Sequence, residues 1–504
     1  MAIPVAIAYS PKTKTSGVTA VGASIIVIDD TVNEGIESFP EASIDAPGVA
    51  VLCTSEYFNS EDPADYETIT YTERDVGTNE LRGVTREVEG TAREWSSGTW
   101  IASFISADAW NKMRTEVNTN KADMGINVKD FGAVGDGVTD DTTAISNALN
   151  SSTHGKFYFP EGTYKVTSTI DIAGDARYIS IYGHSSLTTT IVGDFAGDVF
   201  LFSGTDYYGT YHIENLKFHK SDGFSGTFIR IMGGMEHKIQ RCHFNCLVVT
   251  GSTTFCILSY APFTKIEDNL FYHCTTDSFS VVLLSGAHLF FKSQVSSSII
   301  NNTFSAPDPG ASCVRLGVDA GADQVEGTII SHNFMHTFSQ YGVFIEEAVA
   351  CYVNHNLIDQ MSVASIYLYG PINELTISDN FIASTKNTTS GIGISCDTPN
   401  SIFSVTIANN DITLSGYAIY LTGTSHRIVI TGNRIQNITN AAILASGAGD
   451  TIINGNHIYS CGFGVVIGSI QSTSRYIVTN NISNSSSNSI ITDVTIIEEH
   501  NFDY

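Results

Sequence analysis

The segment Ile377-Ser-Asp-Asn380-Phe-Ile382 is one copy of the pattern that decides the fold of this chain. The pattern is an aliphatic residue, two mostly polar residues, an asparagine, any residue and a second apolar residue. Nine copies occur in one register, and their asparagines are Asn269, Asn302, Asn333, Asn356, Asn380, Asn410, Asn433, Asn456 and Asn480. Leu216 and Cys242 occupy the asparagine position in two earlier copies. The asparagines are 23 to 33 residues apart, and a period of about 23 with longer insertions is typical of a solenoid.

The repeat contains short apolar runs and no helix-length pattern, so each unit is predicted to be a coil of short strands. We therefore expect an all-β fold, a single-stranded right-handed parallel β-helix. Asparagine suits the bend of each coil because it tolerates a left-handed backbone. Stacked once per coil, its amide can also bond to the asparagines of the coils above and below.

The chain is strongly acidic. It has 504 residues, of which 42% are apolar and 15% charged, and its 52 acidic and 25 basic residues give a net charge of −27. This balance argues against nucleic acid or an anionic membrane surface as a partner. The start, MAIPVAIAYS, lacks a basic region and a long apolar core, so no signal peptide is expected.

Nine cysteines are present and none forms a CxxC pair. Five lie in or beside apolar strand patterns: Cys242, Cys256, Cys313, Cys351 and Cys396. We expect buried free thiols rather than a disulfide framework. No cofactor and no metal are predicted.

Four regions are expected along the chain. Residues 1–104 form an N-terminal β domain, residues 105–125 a helical linker, residues 126–490 the capped β-helix and residues 491–504 a strand-like tail. The linker places Trp110, Met113, Val117 and Met124 on one seam. That seam fits either a short coiled coil or an amphipathic helix lying on a neighbouring surface.

A helix is predicted just before the first coil. Thr139 would cap its N-terminus, and the negative charges of Asp140 and Asp141 would interact favourably with the positive end of the helix dipole. The apolar face of the helix would close the end of the solenoid. That face consists of Ala144, Ile145, Ala148 and Leu149. The nearby glycines have the order GxxGxG with no strong strand before them, which argues against a dinucleotide loop.

Two segments resemble known families. Asn127-Val-Lys-Asp-Phe-Gly-Ala-Val-Gly-Asp-Gly137, with Phe157-Tyr-Phe-Pro-Glu-Gly162 after it, resembles the opening of pectate-lyase-superfamily β-helices, which include phage tailspikes and polysaccharide depolymerases. Leu81–Thr99 resembles a small domain of phage tail and baseplate proteins, where the pattern closes a β-hairpin.

The resemblance implies a homotrimeric tailspike that endo-cleaves a bacterial surface polysaccharide. It also implies attachment to the phage tail or baseplate through residues 1–104. The protein would then be made in the host cytoplasm without a signal peptide and located in the virion tail.

A second strand precedes each asparagine, and its alternation predicts a substrate face. Val314, Leu316, Val343, Ile345, Ile366 and Leu368 should point inward. Arg315, Phe344, Glu346, Tyr367 and Tyr369 should then point outward together. Aromatic rings beside charged groups suit a sugar chain, although such a face also suits a neighbouring subunit.

Glycoside hydrolysis needs two carboxyl groups, and Glu346 is the first candidate. Asp319, about 8 Å away by strand geometry, and the adjacent Glu347 are the predicted partners, with Asp379 as a substitute. The spacing favours inversion of configuration. For any one of these acids, a solvated corner residue without a catalytic role is the commoner case.

His332, His355 and Asp379 precede successive asparagines and should stack on one another. Such a set can bind a metal or move protons, but stacking without chemistry is the simpler interpretation. Two other functions stay open: a polysaccharide lyase, whose calcium-binding aspartates and arginine base we cannot match here, and a non-catalytic adhesin.

Overall fold

A computed structural model describes the following residues: 12–15, 25–29, 48–53, 66–76, 78–90, 94, 99–104, 125–174, 177–204, 208–221, 224–245, 255–272, 281–285, 294–305, 312–317, 325–336, 340–383, 385, 389–468, 475–485, 490–492, 497–499 and 502–503. The chain divides into two compact units, Met1–Asp123 and Met124–Tyr504. The linker helix predicted for residues 105–125 lies almost wholly outside the described residues. Within the described part of the chain, no helix is long and apolar enough to cross a membrane.

The N-terminal unit contains an antiparallel sheet. Its strands are Lys12–Thr15, Ile25–Asp29, Gly48–Cys53, Tyr66–Tyr71, Glu73–Asp75, Glu80–Arg82, Thr85–Gly90 and Trp100–Phe104. A small core of fully buried side chains, including Leu52, Tyr71 and Ile101, packs on one face. The Glu67 carboxylate is buried on this sheet and binds Arg86 through both oxygens. Pairing is required there because an unpaired buried charge is strongly destabilising.

The two described strands of the Leu81–Thr99 segment do not pair with each other. Glu80–Arg82 pairs with Glu73–Asp75 and Ile25–Asp29, whereas Thr85–Gly90 pairs with Tyr66–Tyr71. With the hydrogen bond from the Thr72 N–H to the Arg82 carbonyl, these pairings make residues 80–90 one arm of an antiparallel β-hairpin whose other arm is residues 66–75.

The second unit is a solenoid of parallel strands, three to a coil, which confirms the predicted parallel β-helix. We name the sheets A, B and C in the order in which each complete coil crosses them. Sheet A contains Ile170–Asp171, Phe200–Phe202, Thr227–Ile231, Phe255–Ser259, Val282–Ser285, Val314–Gly317, Tyr341–Ile345, Ala364–Leu368, Ala441–Ser446, Phe463–Ile467 and Ile490–Thr492.

Sheet B precedes the asparagine bend. It contains Ile126–Asn127, His154–Phe159, Tyr178–Gly183, Thr210–Glu214, Lys238–Gln240, Lys265–Glu267, Ser298–Ile300, Ile329–Ser331, Tyr352–Asn354, Ile372–Ser378, Gly449–Asn454, Tyr476–Thr479 and Ile497–Glu499. Two long strands, Ile392–Ala408 and Tyr417–Thr431, run through both sheet A and sheet B. Short strands at Gln294–Val295, Val325–Glu326 and Ala348–Val349 lie between the two sheets.

Sheet C follows the asparagine bend. It contains Asp136–Asp140, Gly162–Val166, Thr189–Gly193, Lys217–Lys220, His243–Asn245, Leu270–Tyr272, Thr303–Ser305, Phe334–His336, Leu357–Asp359, Phe381–Ile382, Asp411–Thr413, Arg434–Gln436, His457–Cys461, Ile482–Ser485 and Phe502–Asp503. Every pairing in it is parallel and links one coil to the next, as in the pairing of Leu357–Asp359 with Phe381–Ile382.

The repeated asparagines form a continuous hydrogen-bonded ladder at the bend between sheets B and C. Asn380 shows the geometry: its Oδ1 accepts from the backbone N–H of Asn356 at 3.0 Å and also from the Asn356 side-chain amide. Its own Nδ2 donates to Oδ1 of Asn410 and to the carbonyl of Val353, each at 2.9 Å. Each ladder amide thus joins neighbouring coils, and all of these side chains are buried.

Two details of the predicted ladder are wrong. The left-handed backbone belongs to the residue before each ladder asparagine, for example His355 with φ 54° and Asp379 with φ 56°. The ladder asparagine is instead selected for its buried hydrogen bonds. The last rung is also Asn481 rather than Asn480, because Asn481 accepts from Asn456 while Asn480 occupies the left-handed position.

Apolar side chains fill the interior of the solenoid. The inward residues predicted for sheet A, Val314, Leu316, Val343, Ile345, Ile366 and Leu368, are all fully buried. Beneath sheet C, Phe218, Phe244, Phe271 and Phe304 form a stack of near-parallel rings with centroids 4.6–5.0 Å apart. The strand spacing of a parallel sheet sets this separation, since equivalent side chains repeat at about 4.8 Å.

The capping helix is confirmed but begins later than expected. It spans Thr142–Asn150 and buries Ile145, Ala148 and Leu149 against the first coils. Thr139 is not its cap, because it lies in the strand Asp136–Asp140 and bonds to Asp136. The first helical N–H, that of Thr142, instead donates to the Asp140 carboxylate at 3.0 Å.

Asp141 organises the glycine segment before this helix. Its carboxylate accepts from the backbone N–H groups of Val134 at 2.6 Å and Gly135 at 3.2 Å. Desolvation raises the pKa of Asp141. The glycine loop therefore wraps around a carboxylate of the chain itself, in agreement with the argument against a dinucleotide loop.

The five cysteines predicted to be buried free thiols are confirmed as such, and Cys461 joins them. Burial raises the pKa of Cys242 and Cys396 to about 12. These thiols are therefore protonated and unreactive in the folded chain.

The last strands continue the solenoid. Ile490–Thr492, Ile497–Glu499 and Phe502–Asp503 pair in parallel with the preceding coil on sheets A, B and C. The predicted boundary between residues 490 and 491 therefore falls within a strand.

Replacing Asn380 with alanine should lower the free energy of unfolding of the solenoid by about 2–4 kcal/mol, because a buried N–H and a buried carbonyl lose their partners. Urea unfolding followed by circular dichroism measures this loss. Asn373→Ala, at an exposed position of the same coil, is the control and should change stability little. Equal effects of the two substitutions would contradict the role given to the ladder.

Candidate functional site on sheet A

The outward face of sheet A brings together the residues predicted to bind substrate. Arg315 pairs in register with Phe344, and Phe344 pairs with Tyr367 on the next coil. Tyr369 lies two residues further along and is 42% exposed. Period-two alternation thus sets these side chains above a fully buried row, as predicted.

Arg315 and Glu346 form an ion pair across two coils. Arg315 donates to Oε2 of Glu346 from Nε at 2.9 Å and from Nη2 at 2.5 Å. Both side chains are partly open to solvent, 19% and 22% exposed. Because an arginine donates and never accepts, Glu346 accepts both hydrogen bonds, and a carboxyl group bound in this way is suited to act as a base or nucleophile rather than as an acid.

An aromatic platform lies beside this ion pair. The Tyr367 ring stacks at 5.5 Å from that of Phe344 and at 6.3 Å from that of Tyr369. Tyr341, which the sequence analysis missed, stacks on Tyr367 at 4.7 Å. The Arg315 guanidinium lies 5.4 Å from the centre of the Phe344 ring, which fixes the position of the cation that holds Glu346.

Gly317 is a second residue that sequence reasoning missed. A Cβ placed there would lie 2.6 Å from Oε2 of Glu346 and 3.2 Å from Nε of Arg315. The absence of a side chain thus leaves room for the carboxylate to fold back over the preceding coil. In the aligned strands of sheet A, this glycine occupies the outward position of the preceding coil that is in register with Glu346. A glycine at an outward position beside a candidate acid is the sequence signal that could have identified it.

The structure does not gather all of the predicted acids. Glu347 follows Glu346 at the corner after sheet A and is partly exposed. Asp379 lies beyond the seven-residue strand Ile372–Ser378, so roughly 20 Å of extended chain separates it from the Tyr369 end of the site. Asp319 lies outside the described residues.

The histidines of the asparagine bend stack as simple corner residues do. The rings of His332 and His355 are parallel, with centroids 4.9 Å apart. Both residues have left-handed backbones, so their alignment follows from the repeat of the bend. Among the residues that the structure describes, no group of three or more His, Cys, Asp or Glu side chains is placed to hold a metal ion.

Two family models match successive parts of the chain. Residues 125–246 match the family described as rhamnogalacturonase A/epimerase, pectate lyase-like. Residues 274–438 match the family described as periplasmic copper-binding protein (NosD). The first match covers the cap and early coils and the second covers most of the ladder, in agreement with the pectate-lyase-like β-helix predicted from the sequence.

Curated relatives match over short segments. The chain is 46% identical over 89 residues to the plasmin and fibronectin-binding protein A of Streptococcus pneumoniae, which is 17% of this chain and 12% of that protein. It is 38% identical over 90 residues to a probable glucan endo-1,3-beta-glucosidase of Arthroderma benhamiae, 18% of this chain and 10% of that protein. The matched segments thus span about a tenth of each relative.

A solved structure shares the fold over a longer stretch. The pre-mature gene product 12 of bacteriophage phi29 superimposes with a TM-score of 0.52 and 14% sequence identity. The match covers 74% of this chain and 54% of the phage protein. At that identity the likeness concerns the fold.

Gly317→Ala should be tolerated better than Gly370→Ala, because the two substitutions meet different obstacles. The new Cβ at position 317 meets the end of the Glu346 side chain, which can move by rotation of its own bonds, whereas at position 370 it would lie 1.4 Å from the backbone oxygen of Glu346. We expect Gly370→Ala to lower the melting temperature by several degrees more, since overpacking against backbone costs about 1–3 kcal/mol or above. An equal fall in melting temperature for the two variants would contradict the space described here around Glu346.

Proposed function

We propose that this protein binds and endo-cleaves a bacterial surface polysaccharide by glycoside hydrolysis on the outward face of sheet A. The observation that carries the proposal is the pairing of an arginine-held carboxylate, Glu346, with a platform of stacked aromatic rings. Rings of this kind stack on the apolar faces of pyranoses. Ionic side chains beside them bind hydroxyl groups and act on the glycosidic bond.

Each group has a separate role in this proposal. Glu346, held as a carboxylate by Arg315, activates water or attacks the sugar directly. The general acid that protonates the leaving oxygen is Asp319 or Glu347, and Asp379 becomes the less suitable choice because of its distance. Tyr367 and Tyr369 hold the sugar ring, with Tyr341 and Phe344 supporting them from the same cluster.

Relatives and the fold support the class of substrate. A match to a probable glucanase, and a family model described as pectate lyase-like, are consistent with action on a polysaccharide. The segment shared with a pneumococcal protein named for binding plasmin and fibronectin favours a second candidate, a binding protein without catalysis.

The proposed setting is a phage tail. The resemblance of the Leu81–Thr99 segment to tail and baseplate proteins supports attachment through residues 1–104, and the division of the chain into two units is compatible with it. A homotrimer located in the virion tail is part of the same proposal.

Glu346→Gln should lower the rate of polysaccharide cleavage by at least about 10²-fold while binding persists, because the amide keeps the shape of the side chain but cannot act as a base. Release of reducing ends from purified capsule and O-antigen preparations measures this rate. Glu374→Gln, at an exposed position on the next coil, is the matched control and should cleave at the normal rate.

The same assay separates the competing functions. A lyase would release fragments that absorb in the ultraviolet through a 4,5-unsaturated uronate, and an adhesin would bind the glycan and release no fragments. Wild-type cleavage by Glu346→Gln, Glu347→Gln and Asp319→Asn would exclude the proposed site.

Removing residues 1–104 should leave cleavage intact and prevent incorporation into virions. The proposed catalytic groups all belong to the second unit, and the proposed attachment motif belongs to the first. Cleavage by the purified fragment and its content in assembled particles are the two measurements. If the fragment keeps the circular dichroism spectrum of a β protein but no longer cleaves, residues 1–104 are needed for activity, and the proposed separation of attachment from catalysis is wrong.

A further inference from the structure

The outward face of sheet A is closed on one side of the Arg315–Glu346 ion pair. On the two coils before Arg315, four outward side chains pack on one another in a cluster that is separate from the core of the solenoid. They are Phe255, Leu258, Tyr260 and Leu283, and each is 2–7% exposed. Leu283 is in register with Arg315 itself. In this direction, a glycan bound at Glu346 therefore has little open sheet to lie on.

On the other side of the ion pair, the same face stays open and carries several aromatic rings. Tyr369 is 42% exposed. Two coils beyond Tyr367 lies Tyr420, with Ser395 in register between them. The Tyr417 ring packs edge-on against that of Tyr420, with centroids 5.1 Å apart. The aromatic platform thus continues toward the C-terminal coils.

Ser395 leaves room for a sugar between two tyrosines. Tyr367 and Tyr420 are two strand steps apart, about 10 Å, and a sugar ring in contact with both needs about 8 Å, since van der Waals contacts are about 3.5–4.0 Å. The Ser395 hydroxyl is fully buried and has no hydrogen-bond partner among the residues that the structure describes. Such a hydroxyl is destabilising, and a sugar that turns the tyrosine rings aside would supply its partner.

The open part of this face has almost no charge. Over the next four coils beyond Tyr369, its two central outward rows contain one acidic residue, Asp397, and no basic residue. Their other members are Ser395, Tyr420, Thr422, Leu444, Ser446 and Val466. The neighbouring outward row, which runs from Ile392 to Phe463, is also uncharged. An acidic sugar needs a cation close by, and the net charge of −27 repels a polyanion. The face therefore suits uncharged sugar rings.

We infer, on the basis of the proposed function, that the substrate is an uncharged polysaccharide that lies along sheet A from Glu346 toward the C-terminal coils, with Tyr420 as its far platform. Three strand steps of about 4.8 Å place Tyr420 about 14 Å beyond the strand Tyr341–Ile345. A glycan must therefore be several sugars long to reach from the reacting bond to Tyr420. An uncharged substrate also disfavours the lyase alternative, because the expected product of that reaction is an unsaturated uronate.

Tyr420→Ala should raise the KM for long oligosaccharides about three- to tenfold, as expected for the loss of one aromatic contact, and leave kcat within about twofold. For fragments too short to span from Glu346 to Tyr420, the KM should not change. The probes are size-separated fragments of an uncharged polysaccharide that wild type cleaves. Arg230→Ala is the control on the same face, beyond the covered cluster on the other side of the ion pair. It should keep the wild-type KM, and circular dichroism verifies that both variants are folded.

A panel of uncharged and uronate-containing capsule and O-antigen preparations tests the substrate class. Wild type should cleave uncharged glycans and leave the uronate-containing ones intact. Cleavage of uronate-containing glycans alone would overturn the substrate class while leaving the proposed cleavage in place. An unchanged KM for Tyr420→Ala at every fragment length, or a raised KM for Arg230→Ala in its place, would overturn the direction of the bound chain. A wild type that cleaves no member of the panel would overturn the proposed function as well.

Discussion

The buried side-chain amides at the bend between sheets B and C are the constraint on which the rest of the solenoid depends. A buried amide that lacks partners costs more than its hydrogen bonds contribute when they are made. Each ladder asparagine escapes that cost only if the next coil presents its own asparagine at the same height. In Asn410 the carboxamide oxygen accepts from both nitrogens of Asn380, and its nitrogen donates to Asn433. From Asn269 to Asn481, the ladder therefore fixes the register of each coil against the next.

Fixed register is what makes a surface site possible in a repeat protein. Arg315 and Glu346 are 31 residues apart in sequence but form an ion pair, because one coil places the end of its strand above the end of the preceding one. The aromatic platform arises in the same way. Side chains alternate between the two faces of a strand, and each coil repeats the positions of the coil before it. These two periods together determine which residues share a face, so a binding surface for a chain-like substrate can run along the solenoid axis.

Much of this was predictable from the sequence, because periodicity is a local signal. The repeat, the inward row of sheet A and the outward cluster around Glu346 follow from alternation. The Arg315–Glu346 bond, the space left by Gly317 and the stacking of Tyr341 depend on side-chain packing between coils, which spacing alone does not specify. The shift from Asn480 to Asn481 shows the same limit, since two adjacent asparagines satisfy the pattern equally and only burial distinguishes them.

The crystal structure of the Glu346→Gln variant with an oligosaccharide of the proposed substrate would test the proposed site most directly. We expect a pyranose ring stacked on Tyr367 and Tyr369. The amide that replaces the Glu346 carboxylate should then lie within about 3 Å of the reacting water or the anomeric carbon. An oligosaccharide bound on sheet C, or anywhere away from the Arg315–Glu346 pair, would contradict it.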